Sequence, residues 1–589
     1  MHHYISQLQL LGSGLIAQTG KVDKWIPELH WLDYMVVFGY LAFIAILGSS
    51  FAKRQKSTDH YYTGGRNIPT WAIGLSILAT LISSVTFLAY PGVGYKENSW
   101  ILLVQGLMVP VVLICIIWFV VPMFRKVIGI STYEYFEKRF GLIPRVYTSL
   151  SFSLMHFAKM GTVFYLMALA VGTMMGITSN EGLIYLIIIL GVAVVVYTLL
   201  GGIEAVIWCD VIQGLLLMGV GIMVVLTLFY KGGGPVEMVS AAWNAGKINL
   251  SPLEPSYKWD MVHLGFWVMA LNGIFYGIQK YGTDQTIVQR YLAAASDKKA
   301  IKAALIGVLL CIPVWTLFMF IGTMLWSYYQ PGVNPLKPEV LNFIGDKPER
   351  VFMYYVNSEF PVVIVGLVLA GLVAAALSSL DSDLNCLSAV VVEDYYHRIR
   401  KRATDRQRLR FGRIVVAACG VYAIAVAILY VFFQGKMPVL KIIFELYAIF
   451  SGGIAGLFIL AFFTKRANLK GVYVGMIACI LFTAWGFLTG PPLDAAEEAW
   501  VNINNFSNNL FGVSAFGTAE GQTSLNFPHH RYMLGVYSHI ILFAFGYVAS
   551  LFFKHKRDIT GLTFYDWCRQ GKSVAEMVEE KEEKSELQE

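Results

Sequence analysis

Three stretches of this chain place polar and ionisable residues among apolar neighbours, and they set the chemistry open to it. The first reads Gly74-Leu-Ser-Ile-Leu-Ala-Thr-Leu-Ile-Ser-Ser-Val-Thr86 and runs into Tyr90-Pro91-Gly92; the second reads Gly277-Ile-Gln-Lys-Tyr-Gly-Thr-Asp-Gln285; the third reads Ala374-Ala-Ala-Leu-Ser-Ser-Leu-Asp-Ser-Asp-Leu-Asn385. Asp210, Asp284, Asp381, Asp383, Lys280, Lys159 and His156 all fall in or beside apolar runs. A charge at mid-bilayer costs roughly 3 kcal/mol even on permissive scales, so such groups face a cavity or one another. Backbone interrupted by Gly, Pro or Ser is tolerated at that depth only where protein or a water-filled cavity takes up the freed N–H and C=O groups. The chemistry indicated is passage of a polar solute or ion through protein embedded in lipid. Plainer roles compete. Ser and Thr in spans commonly pack helices or bond to their own preceding turn. Asp284 and Asp383 can pair with loop arginines, Lys280 can pair with Asp284 one turn away, and Lys159 can reach the interface by snorkelling.

The elements that must position these residues are membrane helices. Of 589 residues, 57% are hydrophobic and only 14% charged, too little charge to solvate a soluble protein of this size. A bilayer core needs roughly 20 apolar residues per helix. About thirteen such spans follow, at 32–52, 69–95, 100–122, 147–177, 183–202, 203–230, 260–286, 303–329, 361–391, 414–434, 439–463, 471–490 and 532–553. The net charge of +7 is scattered between apolar runs rather than gathered in a patch, which excludes nucleic acid as a partner. The seven cysteines form no CxxC spacing, and HExxH, GxSxG and P-loop motifs are lacking, so neither a metal cluster nor an enzyme is expected. No repeated filter motif points to a channel.

Loop charge orients the chain. Arg125, Lys126, Lys138, Arg139 and Arg145 lie in one set of alternate loops with the run Arg398 to Arg413, Lys465, Arg466 and Lys470, whereas the opposite set is poor in Lys and Arg. The positive-inside rule then puts the N-terminus outside and the C-terminus in the cytoplasm of a cell-membrane protein. The apolar stretch from Leu8 to Ala17 has no Lys or Arg before it, so no cleaved leader is expected. The two Gly/Pro-broken spans, the second and the seventh, are five apart. That offset predicts two five-helix repeats of opposite orientation with a central site between them. The divisions are 1–68 (outer segment, first span and loop), 69–230 (first repeat), 231–463 (second repeat with outer loops), 464–553 (two peripheral spans) and 554–589 (a charged, solvated cytoplasmic tail).

At these residues the chain resembles the sodium/solute symporter family. The resemblance runs from Trp31 to Phe553 on five landmarks in family order: Tyr61-Tyr-Thr-Gly-Gly-Arg-Asn-Ile-Pro69, Tyr133-Glu-Tyr-Phe-Glu-Lys-Arg-Phe140, Gly201-Gly-Ile-Glu-Ala-Val-Ile-Trp-Cys-Asp-Val-Ile-Gln213, Thr283-Asp-Gln-Thr-Ile-Val-Gln-Arg-Tyr-Leu-Ala-Ala294 and the pair Ser378-Ser379. It implies an all-α, LeuT-like inverted repeat of five plus five helices. It implies a sodium site from the carbonyls of Ala79, Ile82 and Ala375 with the hydroxyls of Ser378 and Ser379, hard oxygen ligands of the kind Na⁺ takes. A second sodium position in some relatives maps to Asp210, Ser378, Asp381 and Ser382, with Asp381 standing where a small hydroxyl residue is expected. Ser83, Thr86 and Gln105 fit the sialic acid and monocarboxylate branch better than the sugar branch. His156 matches an arginine that holds a carboxylate, and Lys280 falls at an inner-gate position. The expected function is sodium-coupled uptake of a small polar solute bearing a carboxylate, with sugar symport or proton coupling as alternatives. Na⁺, the solute and lipid are the expected partners, with no cofactor.

The orientation has a direct test. A cysteine replacing Asn505, in the loop between the last two spans, should react with an impermeant thiol reagent from outside, and one replacing Thr404 should not; the reverse labelling would overturn the topology.

Overall fold

The computed structural model describes residues 29–175, 177, 179–250, 259–345, 348–433, 452–489, 527–553 and 557–568. Its regular structure is helical, and the one isolated β-bridge among the described residues joins Ile68 to Ala294. Helix α1 (Trp31–Ser50) leads to a bent pair, α2 (Thr70–Leu81) and α3 (Ser84–Lys96), and then to α4 (Ile101–Val127) and α5 (Leu142–Met174). A 52-residue run, α6 (Asn180–Lys231), is divided at Gly202, whose φ of 61° only glycine adopts readily. A Cβ there would lie 2.9 Å from the Tyr61 carbonyl. This is the boundary expected between spans 183–202 and 203–230.

The next elements are α7 (Phe266–Gly282), α8 (Gln285–Ala293), α9 (Asp297–Tyr328), α10 (Ile364–Val390), α11 (Asp405–Phe433), α12 (Ile454–Phe463), α13 (Leu469–Thr489), α14 (Tyr532–Leu551) and α15 (Phe564–Cys568). Among the described residues nine helices are long and apolar enough to cross a bilayer alone, and the bent pair makes ten. The remaining expected spans, 183–202, 260–286 and 439–463, meet shorter helices, and the first part of 439–463 lies outside the described residues. So do the loop from Gly490 to Asn526, the end of the loop at 251–258, the start of the chain and its last 21 residues.

Lipid exposure explains the outer helices. On α1, Phe38 and Ile46 are 65% and 71% exposed, an apolar surface with no protein over it. By contrast every residue of α10 from Val368 to Val390 is buried. One polar group ties the outer helix to this central one. Asp33 on α1 is buried, and its Oδ1 accepts the backbone N–H groups of Val363 (2.7 Å) and Gly366 (2.9 Å) at the start of α10. Those are orphan donors of a helix N-terminus, and a carboxylate also suits the positive end of the helix dipole.

The expected solvated tail is corrected at its beginning. Residues 557–568 fold back on the molecule: Tyr135 donates to the Leu562 carbonyl (2.9 Å), Phe564 packs on Phe119 and Phe463, and Arg557 donates to the Glu137 carbonyl. Apolar Leu562 and Phe564 within a charged segment are the reason.

Removing the Asp33 cap should cost about 1 kcal/mol or more of stability. Asp33→Ala should therefore lower the melting temperature in detergent, while Asp33→Asn, which keeps an acceptor oxygen, should stay near wild type; equal melting of all three would refute the cap.

Candidate functional site

The site is built around the two places where a helix is interrupted. Between α2 and α3 the chain bends by 56°. Ile82 turns extended (φ −96°, ψ 117°), and the Ser83 hydroxyl caps the new helix by accepting Val85 N–H. The carbonyls in the last turn of α2 are thereby left without intrahelical partners. Two hydroxyls from α10 take them: Ser378 Oγ lies 3.0 Å from Ala79 O and 3.2 Å from Ala375 O, and Ser379 Oγ lies 3.4 Å from Thr80 O. Ala79, Ile82, Ala375 and Ser378 border one small hollow. The residues that the resemblance implied for sodium thus converge, with the Thr80 carbonyl added. The second interruption, Thr283–Asp284 between α7 and α8, is capped by Asp284, whose Oδ1 accepts Thr286 N–H at 2.8 Å.

A cavity of about 1130 Å³ of empty space, part of it open to solvent, lies against the first interruption and against α7 in the turn before the second. Thr80, Ser83 and Thr86 from α2 and α3, Gln105 from α4, Lys159 from α5 and Lys280 from α7 all line it. Expected solute residues Ser83, Thr86, Gln105 and Lys280 are therefore brought together. Asn272, Gln279, Trp315 and His539 also line it, and sequence reasoning missed them. Asn272 has a readable cue, an amide inside an apolar run, and it accepts from Gln105 Nε2 at 2.8 Å.

His156 is a correction. It is fully buried and absent from the cavity wall, because both ring nitrogens are taken: Nδ1 lies 2.8 Å from Asp383 Oδ1 and Nε2 lies 3.1 Å from Asp284 Oδ2. The two aspartates do not use loop arginines. Lys280 Nζ lies 2.6 Å from Asp284 Oδ2 and 3.1 Å from Thr286 Oγ1, and Lys159 Nζ lies 3.0 Å from Asp383 Oδ2. Five ionisable groups from α5, α7, α10 and the α7–α8 junction so form one network beneath the cavity. Carboxylates are acceptors only, so a ring bonded to two of them needs a proton on each nitrogen unless one carboxyl carries the proton. Both lysines of the network line the cavity.

The possible second ion set needs correcting as well. Arg290 of α8, fully buried, donates from Nη2 to Asp210 Oδ2 (2.9 Å) and to Ser382 Oγ (2.7 Å), and from Nε to Ser76 Oγ (2.8 Å). A permanent cation thus holds two of the residues assigned to that site, Asp210 and Ser382. Asp381 Oδ1 turns back to the Ser382 N–H at 2.7 Å. Asp210 Oδ1 lacks a hydrogen-bond partner among the described residues, so any ion there shares its carboxylate with a guanidinium. The sequence places Arg290 beyond the seventh span, and nothing in its spacing marks it as buried.

Comparison with known proteins agrees with this architecture. The sodium/sialic acid symporter NanT of Aliivibrio fischeri is 35% identical over 458 residues, covering 77% of this chain and 87% of that protein. The sodium/sialic acid symporter SiaT of Proteus mirabilis is 33% identical over 458 residues, covering 77% and 89%. A solved structure of a Na⁺-coupled sialic acid symporter, in a substrate-bound outward-open state, matches with a TM-score of 0.74 at 29% identity, covering 90% of this chain and 99% of its own. The fold is all-helical and LeuT-like. The model of the sodium:solute symporter family matches residues 61–479, which contain both helix interruptions and the Ser378-Ser379 pair, and the chain belongs to that family.

Proposed function

We propose that this symporter carries a carboxylate-bearing sugar acid of the sialic acid class into the cell together with Na⁺. Sodium-coupled symport follows from the family; the solute class is the proposal, and the pair Lys159 and Lys280 in the cavity wall carries it. Each ammonium has three donors, and Lys280 spends two on Asp284 and Thr286, leaving one toward the cavity for a carboxylate oxygen. Ser83, Thr86 and Gln105 supply neutral hydrogen-bonding groups beside them. His156 acts behind the wall, bridging the two aspartates that position the lysines. The sialic acid symporters of Aliivibrio fischeri and Proteus mirabilis, to which this chain is 35% and 33% identical, support the class.

Sodium is assigned to the carbonyls of Ala79, Thr80, Ile82 and Ala375 with the hydroxyls of Ser378 and Ser379. Coupling follows from sharing: Thr80 offers its carbonyl toward Ser379 and also lines the solute cavity, so ion and solute load the same interrupted helix. Binding both closes the outer conformation, and rocking of one helix group against the other releases them inside. A potential of 100 mV contributes about 2.3 kcal/mol per Na⁺ and a tenfold gradient about 1.4, enough for roughly a few hundredfold accumulation. The two repeats and the orientation with the C-terminus in the cytoplasm are part of the same reading, as is placement in the cell membrane.

In proteoliposomes, Ser379→Ala should raise the half-saturating sodium concentration about tenfold, the effect of one lost interaction of about 1.4 kcal/mol. Ser378→Ala should do more, because Ser378 meets two carbonyls. Unchanged sodium dependence would remove them from the ion site, and uptake driven equally by protons with choline replacing Na⁺ would reject sodium coupling.

The solute assignment is tested separately. Lys280→Gln should weaken sugar-acid affinity by about 2–5 kcal/mol, the usual cost of truncating one partner of a buried charge pair, with a smaller change in sodium affinity. Competition by neutral hexoses as strong as that by sugar acids would defeat the anion reading.

A further inference from the structure

The last span, α14, lies outside the ten-span core expected from the sequence, yet it forms part of the solute cavity. Gly535, Val536 and His539 line it, spaced so that they share one helical face. The contact is fixed at both ends. Near the start of α14, Gln105 donates to Asn272, and Asn272 donates to the Tyr532 carbonyl at 3.2 Å. Two turns on, the His539 ring stacks on Phe275 of α7, with centroids 5.4 Å apart and planes inclined by 22°.

His539 is only 3% exposed; its ring is hydrogen-bonded to the Gly453 backbone, and among the described residues its Nδ1 has no hydrogen-bond partner. A buried polar nitrogen left unmade is costly, and such groups in native proteins have a reason. Here the ring borders the cavity, and an imidazole nitrogen either donates or accepts according to tautomer, so it suits a hydroxyl or amide group. The cavity thereby combines two ammonium groups on α5 and α7 with a neutral polar group on the last span.

We propose that His539 is a specificity-determining residue of the solute site, binding an uncharged hydroxyl or N-acyl group of the solute, remote from its carboxylate. The proposal rests on the sugar-acid reading above. It assigns the last span a direct part in recognition and favours polyhydroxylated acids over short monocarboxylates, which have no group to offer there.

The test is binding of N-acetylneuraminate to purified transporter in detergent, with sodium binding followed separately by thermal shift without solute. His539→Phe keeps an aromatic ring on Phe275 and removes the nitrogen; it should weaken solute binding roughly tenfold and leave the sodium dependence of melting unchanged. His539→Gln, which restores a polar group, should recover part of the loss. If His539→Phe binds solute as wild type does, or loses solute and sodium response together, His539 is a packing residue and the proposal falls. If solute binding is weakened by Lys280→Gln but is indifferent to His539→Phe, the sugar-acid reading stands and this inference alone is refuted. If wild type binds no sugar acid, the reading falls and takes the inference with it.

Discussion

A helix inside a bilayer cannot be interrupted unless other groups take up the carbonyls and amides that the interruption exposes, because lipid offers no hydrogen bonds. In this protein the hydroxyls of Ser378 and Ser379 meet that requirement for the last turn of α2, reaching Ala79 O and Thr80 O from a helix nearly three hundred residues away in the chain. The rest of the arrangement depends on this contact. It fixes α10 against α2, it gathers carbonyl and hydroxyl oxygens at one point without a permanent charge, and it leaves the opposite side of the same turn free to line a cavity. A site that satisfies backbone with hydroxyls is also one that an alkali cation can enter by replacing weak O–H···O contacts with stronger ion–oxygen ones.

Ionic groups deal with the second interruption differently. Asp284 caps α8, and the same carboxylate receives Lys280 and His156. His156 then reaches Asp383 on α10, which receives Lys159. Removing either lysine or either aspartate leaves a buried charge uncompensated, and His156 links the two pairs, so the network couples the helices that bear it. Its lysines line the cavity wall, where an anion of the proposed class would meet them with little rearrangement. Preorganisation of this kind lowers the ordering cost of binding.

How much of this was legible from the sequence differs by element, for physical reasons. The interruptions were readable because Gly, Pro and Ser in an apolar run are a local signal, and the Lys280–Asp284 pair was readable because four residues make one helical turn. His156 is placed with the solute by the resemblance, which sets it where an arginine holds a carboxylate, and its own helix carries no signal against that. Its partners lie 128 and 227 residues away, and only the packing of α5 against α10 decides that they consume both nitrogens. Arg290 was overlooked because a basic residue beyond a span looks like a loop charge. The turn at Thr283–Asp284 directs α8 back into protein, where Asp210, Ser76 and Ser382 await the guanidinium. The last span gave no warning at all, since an apolar helix with one histidine looks the same whether it faces lipid or lines a cavity.

These contacts also bear on why ion and solute travel together. If the two sites were independent, sodium would bind both conformations alike and transmit nothing, since a ligand shifts an equilibrium only by its differential affinity for the two states. The proposed assignments make the two sites dependent by position: Thr80 belongs to both, Ser382 Oγ lies 3.3 Å from its hydroxyl, and Arg290 donates to Ser382. On that reading, any movement of α2 relative to α10 that opens the ion position also changes the cavity wall offered to the solute. On the proposed assignments, the short path from Ser379 through Thr80 to the cavity is the route by which a sodium gradient would become a solute gradient, with no longer relay across the protein.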